Sequence, residues 1–77
     1  TKFSYIIKIA EFYYESSAKM MQQRMKDELN LNYSKIYKIS NTNFRVYLGP
    51  FDNLKTLKKA FDDISPLNFE NIEIIKT

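Results

Sequence analysis

Apolar residues recur along this chain with two different periods, and the switches between them divide it into successive segments. Tyr5-Ile6-Ile7-Lys8-Ile9 is β-branched and bounded by Ser4 and by Ala10-Glu11, which suits a central strand. Alternation then sets Tyr5, Ile7 and Ile9 on one face and Ile6 and Lys8 on the other. From Ser16-Ser17, either of which can cap, Ala18, Met21, Met25 and Leu29 step by three and four, an amphipathic helix that turns Lys19, Gln22, Gln23 and Lys26 to water. Asn30-Leu31-Asn32 breaks it. Lys35-Ile36-Tyr37-Lys38-Ile39 reads as a second strand leading through Ser40-Asn41-Thr42-Asn43 into a third, a hairpin. A two-residue turn at Asn41-Thr42 sets Ile39 opposite Phe44 and Tyr37 opposite Val46 on the core side, and Lys38 opposite Arg45 and Ile36 opposite Tyr47 on the other. A slip of one residue would exchange those faces.

The third strand, Phe44-Arg45-Val46-Tyr47-Leu48, runs into Gly49-Pro50-Phe51. Gly49 can take a positive φ, and Pro50 removes a ladder donor, so pairing is expected to stop at this corner. Beyond it Asp52 or Asn53 can cap a second helix with Leu54, Leu57, Phe61 and Ile64 on its apolar stripe. Ser65-Pro66 ends that helix, and Asn71-Ile72-Glu73-Ile74-Ile75 closes the chain as a fourth strand. The order is β-α-β-β-α-β. Phe12 and Phe51, like Ala18 and Leu57, stand at one common offset, so the two strand-helix halves read as an internal repeat. Right-handed crossovers put both helices on one side of a four-stranded antiparallel sheet with the first and third strands central, an α+β, ferredoxin-like arrangement.

The other side of the sheet is left open. It is expected to carry Ile6, Lys8, Ile36, Lys38, Arg45 and Tyr47, with Glu73 or Ile75 from the last strand. For any one of these residues, a half-wet surface covered by Lys and Arg stems is the ordinary explanation. The mixture of apolar, aromatic and cationic groups on a shallow platform suits an extended, flat, anionic polymer better than a small molecule, which wants a concave pocket. A glycan and a single nucleic-acid strand both answer that description.

Composition narrows the choice. At 77 residues the chain is a single domain spanning 1–77, able to bury only about 60% of its unfolded surface. Hydrophobic content of 44% with one Gly and two Pro is that of a folding sequence, not a disordered one. There is no Cys, so neither disulfides nor a thiolate metal site are available. No apolar run approaches the ~18 residues of a membrane span, so no membrane insertion by this domain is expected, and Thr1-Lys2-Phe3-Ser4 does not begin a signal peptide. The chain reads as a domain excised from a larger protein. Its net charge of +3 gives a mild preference for anionic partners, without the dense Lys/Arg runs of a nucleic-acid-binding arm.

Catalysis is poorly served by these residues. There is no His and no Cys, which removes the commonest general base, metal ligand and thiol nucleophile; no cofactor or metal is expected. The acid pairs Asp27-Glu28 and Asp62-Asp63 lie beside Lys or on the wet side of a helix, so solvation accounts for them better than glycosidase chemistry. Ser16 and Ser17 are explained by capping. The lone Gly49 cannot form a phosphate-cradling loop. Tyr13-Tyr14 can form a sugar-stacking lip, though such a pair is more commonly one core ring and one exposed ring.

The run Phe44-Arg45-Val46-Tyr47-Leu48-Gly49-Pro50-Phe51, aromatic-Arg-Val-x-aliphatic-Gly-Pro-Phe before a helix, resembles the second half of a SPOR domain, the peptidoglycan-binding module named for sporulation proteins. Tyr5-Ile6-Ile7-Lys8-Ile9-Ala10-Glu11-Phe12 is similar to that family's opening strand in its apolar frame and final Phe, with Lys8 and Ala10-Glu11 replacing its Gln and Gly-Ser. The resemblance covers nearly the whole chain. It implies a non-catalytic module of the bacterial envelope, periplasmic and enriched at the division septum, that binds glycan strands lacking stem peptides. Such strands expose lactyl carboxylates along a ribbon of sugar rings. It further implies that Ile6, Lys8, Glu11, Ile36, Lys38, Arg45 and Tyr47 form or border the glycan site, with the cations on carboxylates and Tyr47 on a sugar face. Modules of this kind are appended to division proteins, amidases and rare lipoprotein A, a lytic transglycosylase; an ending at Ile75-Lys76-Thr77 fits the C-terminal placement in the last.

Two rivals share the architecture. A single-stranded RNA binder of the RRM type uses the same open face, but its third-strand signature is missing and no nucleic acid is expected as partner. A protein-protein interaction domain would use Ile6, Ile36 and Ile75 as anchors.

Overall fold

Four strands form one antiparallel sheet in the order β2-β3-β1-β4, in a computed structural model that describes residues 2–77, Thr1 lying outside them. The strands are β1 (Tyr5–Phe12), β2 (Lys35–Ser40), β3 (Asn43–Phe51) and β4 (Glu73–Lys76). Helix α1 (Glu15–Leu29) connects β1 to β2, and α2 (Leu54–Ile64), continued by a 3-10 turn at Ser65–Leu67, connects β3 to β4. The expected β-α-β-β-α-β order and central β1 and β3 are present. The repeat is visible in the pairing: Tyr5 lies opposite Phe51 and Phe12 opposite Phe44, a pseudo-twofold relation between the central strands.

Both helices pack on one face. Ile7 and Ile9 of β1 and Val46 and Leu48 of β3 meet Ala18 and Met25 of α1 and Leu57, Ala60 and Ile64 of α2, all buried. Each large side chain so enclosed contributes roughly 1.5–3 kcal/mol. The buried stripe of α2 runs through Leu57, Ala60 and Ile64, displaced from the expected one. Leu54 and Phe61, expected inward, are therefore 66% and 41% exposed and line a shallow groove with Ile74 of β4.

Helix ends follow local chemistry. Asn53 caps α2, its Oδ1 accepting from the Thr56 N–H at 2.9 Å. Ser16 and Ser17 do not cap α1. The helix begins at Glu15, ahead of both serines, with Tyr14 at the N-cap making no side-chain bond and with Glu15 placed favourably against the helix dipole. Asn30 ends α1 in the left-handed conformation at φ 54°, dropping Leu31 into the core.

Three irregularities reset the alternation of the strands. In β1 an extra residue lies between Lys8, opposite Tyr47, and Ala10, opposite Val46. In β2 the turn stands where expected, with Ser40 opposite Asn43, but Ile39 is an extra residue, so Lys38 pairs with Phe44, Tyr37 with Arg45 and Ile36 with Val46. The expected faces of β2 are thereby exchanged. Ile36 packs against the core on the helix side, and Tyr37, whose hydroxyl is better left in water, is 58% exposed on the open side.

The third irregularity is at Gly49-Pro50. Pairing does not stop there: β3 continues to Phe51, opposite Tyr5. The sheet absorbs the proline because β2 ends at Lys35, opposite Tyr47, leaving that stretch of β3 unpaired on one side. Gly49 has φ +113°, and a Cβ there would lie 3.1 Å from the Tyr5 carbonyl oxygen and 3.1 Å from the Phe51 ring. β4 starts at Glu73 rather than Asn71, and extends to Lys76.

Candidate functional site

The register sorts the open face into rows that run across the strands. Lys35, Tyr47, Lys8 and Glu73 form one row, neighbours in turn across β2, β3, β1 and β4. Tyr37, Arg45 and Glu11 form the next. On the opposite side of the first row Ile6 pairs with Ile75. Ile6, Tyr37, Arg45, Tyr47, Pro50 and Thr77 line a shallow groove of about 330 Å³. Ile6 is its buried apolar floor, only 7% exposed although it belongs to the face away from the helices.

Five residues expected at the site, Ile6, Lys8, Glu11, Arg45 and Tyr47, share this face. Glu11 does so only because of the extra residue in β1; strict alternation would set it with Ile7 and Ile9. Ile36 and Lys38 are displaced to the helix side by the extra residue in β2. Their places are taken by Lys35 and Tyr37, which pattern reading missed. The available signal was the pair Ile36-Tyr37 itself, since the aliphatic member loses more by facing water. From β4 both Glu73 and Ile75 lie on the face.

Carboxylates already hold two of the cations. Lys8 Nζ donates to Glu73 Oε1 at 2.7 Å, across β1 and β4. Arg45 brings Nη2 to 2.8 Å and Nε to 2.9 Å from the same Glu11 oxygen, Oε2, while Asn43 Nδ2 donates to Oε1 at 3.4 Å. The hydrogen bond from Arg45 holds the Glu11 carboxyl below its ordinary value; partial burial opposes this, and Asn43 and the charges of Arg45 and Lys8 add to the lowering. Lys35, exposed at the end of its row, has no carboxylate partner among the described residues.

Three of the helical acids are engaged away from this face. Asp27 accepts from Gln23, Glu28 from Arg24, and Asp63 from Lys59 and the Tyr33 hydroxyl. Among the described residues no group of three or more acidic, His or Cys side chains is placed to hold a metal ion. What the open face offers is contact: an apolar floor, two tyrosine rings set diagonally on β2 and β3, and a cation at its margin.

The model of the SPOR domain family matches residues 1–72, both strand-helix units in full. The chain belongs to the SPOR family. No curated protein and no solved structure matches it significantly. SPOR domains bind peptidoglycan, in the setting of cell division and the septum. The matched stretch stops at Ile72, so the β4 contribution to the open face, Glu73 and Ile75, lies outside it.

Proposed function

We propose that this SPOR domain lays peptidoglycan glycan strands lacking stem peptides across its open sheet face, and so carries a larger periplasmic parent protein to the division septum. One observation supports this most: Tyr37 and Tyr47 flank the apolar floor at Ile6 on a face that no helix covers. Pyranose rings present C–H faces that pack on such rings, and a flat groove admits a chain rather than a compact ligand. Lys35 meets lactyl carboxylates freed by stem-peptide removal. Arg45 gives Glu11 only part of its five N–H donors and offers the rest outward. The domain binds; bond-breaking, where the parent performs it, belongs to other segments.

The RNA-binding alternative is weakened by the same register. Phe44 and Val46 of β3 are buried toward the helices, leaving Tyr47 as the only aromatic ring the two central strands give to the open face. An RRM stacks bases on several rings of those strands. The decisive experiment is cosedimentation with amidase-treated and untreated sacculi. More domain is expected with the treated material; equal recovery from both, or none, removes the proposal.

A further inference from the structure

The charge on this face is arranged against the use a basic sheet would ordinarily have. Of the three open-face cations, Lys8 is held by Glu73 and Arg45 by Glu11, and only Lys35 is uncompensated among the described residues. The Glu11 pairing is not a by-product of regular strand alternation, whereas the Glu73 pairing follows it. Glu11 reaches the face through the extra residue in β1, and both carboxylates stand directly opposite their cations in the ladder. The partly buried Arg45, with a quarter of its side chain exposed, keeps Glu11 charged and fixed beside it.

We infer that Glu11 and Glu73 are specificity-determining residues that make this face selective against polyanions, so that it accepts sugar chains with widely spaced carboxylates and rejects closely charged polymers. The inference rests on the glycan reading above and specifies which glycans and competitors that reading covers. A closely charged strand laid along the rows meets one free cation and two carboxylates. A sugar ribbon meets the tyrosine rings and the Ile6 floor, and needs only an occasional cation. Selectivity of this kind comes from a repulsive element built beside an attractive one.

The test compares the wild-type domain with Glu11→Gln/Glu73→Gln, which keeps side-chain shape and one acceptor oxygen while removing the charge. A uniform oligothymidylate serves as polyanion and amidase-treated sacculi as glycan. The wild type is expected to show no measurable oligothymidylate binding. The double variant, with three cations free, is expected to bind it with an affinity that falls about fortyfold between 50 and 300 mM salt; a single effective cation gives only about threefold. Recovery on treated sacculi should rise in the double variant and become salt-sensitive. Glu11→Gln alone should show part of each change, and a thermal melt of each variant confirms that it is folded.

A double variant that remains folded and gains no oligothymidylate binding overturns the inference. So does a loss of sacculus binding, which would make Glu11 a positioning residue that holds Arg45 for the ligand. If the wild type ignores treated sacculi, the glycan reading itself fails, and the oligothymidylate comparison still reports on the carboxylates.

Discussion

Replacing Gly49 with Ala should destabilise the domain by about 2–4 kcal/mol. At φ +113° the backbone lies where an L side chain rarely goes, a cost of about 1–3 kcal/mol by itself. The added methyl also lies 3.1 Å from the Tyr5 carbonyl oxygen and 3.1 and 3.2 Å from two atoms of the Phe51 ring. The ring can turn aside. The carbonyl cannot move so cheaply, because β1 is paired on both sides, with β3 and β4. In a domain of this size the expected loss lowers the melting midpoint by roughly 10–30 °C. Urea and thermal unfolding followed by circular dichroism measure it. Adding Phe51→Leu relieves the ring contacts but not the backbone strain, so most of the loss should persist in Gly49→Ala/Phe51→Leu. A cost below about 1 kcal/mol for Gly49→Ala would refute the geometry, because it would mean that this corner has an ordinary conformation.

Further substitutions separate the two faces of the sheet. Tyr37→Ala, Tyr47→Ala and Arg45→Ala should each reduce recovery on amidase-treated sacculi while moving the melting midpoint by only a few degrees; a collapse of stability would place these side chains on the helix side. Ile36→Ala should do the opposite, losing about 1–3 kcal/mol by chemical denaturation with binding retained in the folded fraction. Asn53→Ala removes the cap of α2 and should cost about 1 kcal/mol in the same assay. Because the folded state lowers the Glu11 carboxyl from its ordinary value of 4.5, its pairing with Arg45 stabilises the fold above that value and is lost as pH falls through the lowered one. Melts of wild type and Glu11→Gln should therefore differ near neutral pH, by at most about 1 kcal/mol for so exposed a pair, and converge in acid; a difference that persisted in acid would assign it to something other than this charge.

Element order and core composition were legible in the sequence because they rest on long-range periodicity. Ile7 and Ile9 alternate, Ala18 and Met25 step along one helix face, and Val46 and Leu48 alternate again, so local pattern and tertiary packing agree. The open face was less legible because it depends on phase, and phase is changed by single residues. At Ile39 the turn was anticipated, yet one extra residue behind it exchanged Ile36 and Lys38 for Tyr37 and Lys35. No composition cue marks Ile39, whose type suits a regular strand as well as an irregular one. Gly49-Pro50 marks a corner in the sequence, but the dipeptide by itself does not distinguish a strand end from a strand that continues to Phe51. Whether a strand resumes after such a corner depends on whether a neighbour pairs there, and that is a property of the sheet edge rather than of the dipeptide.

Those phase shifts separate two inheritances within one short chain. The helix side is constrained by packing and tolerates change mainly through substitution of like for like. On the open side, an extra residue at a strand irregularity shifts which sequence positions face outward while the residues on either side of it keep their partners. Loss of the extra residue from β1 would leave Glu11 opposite Arg45, just as loss of Ile39 would leave Tyr37 opposite Arg45. Chains of this architecture can therefore differ in length by one residue within a strand and still present the same open face, a correspondence that counting strict alternation along the sequence would overlook.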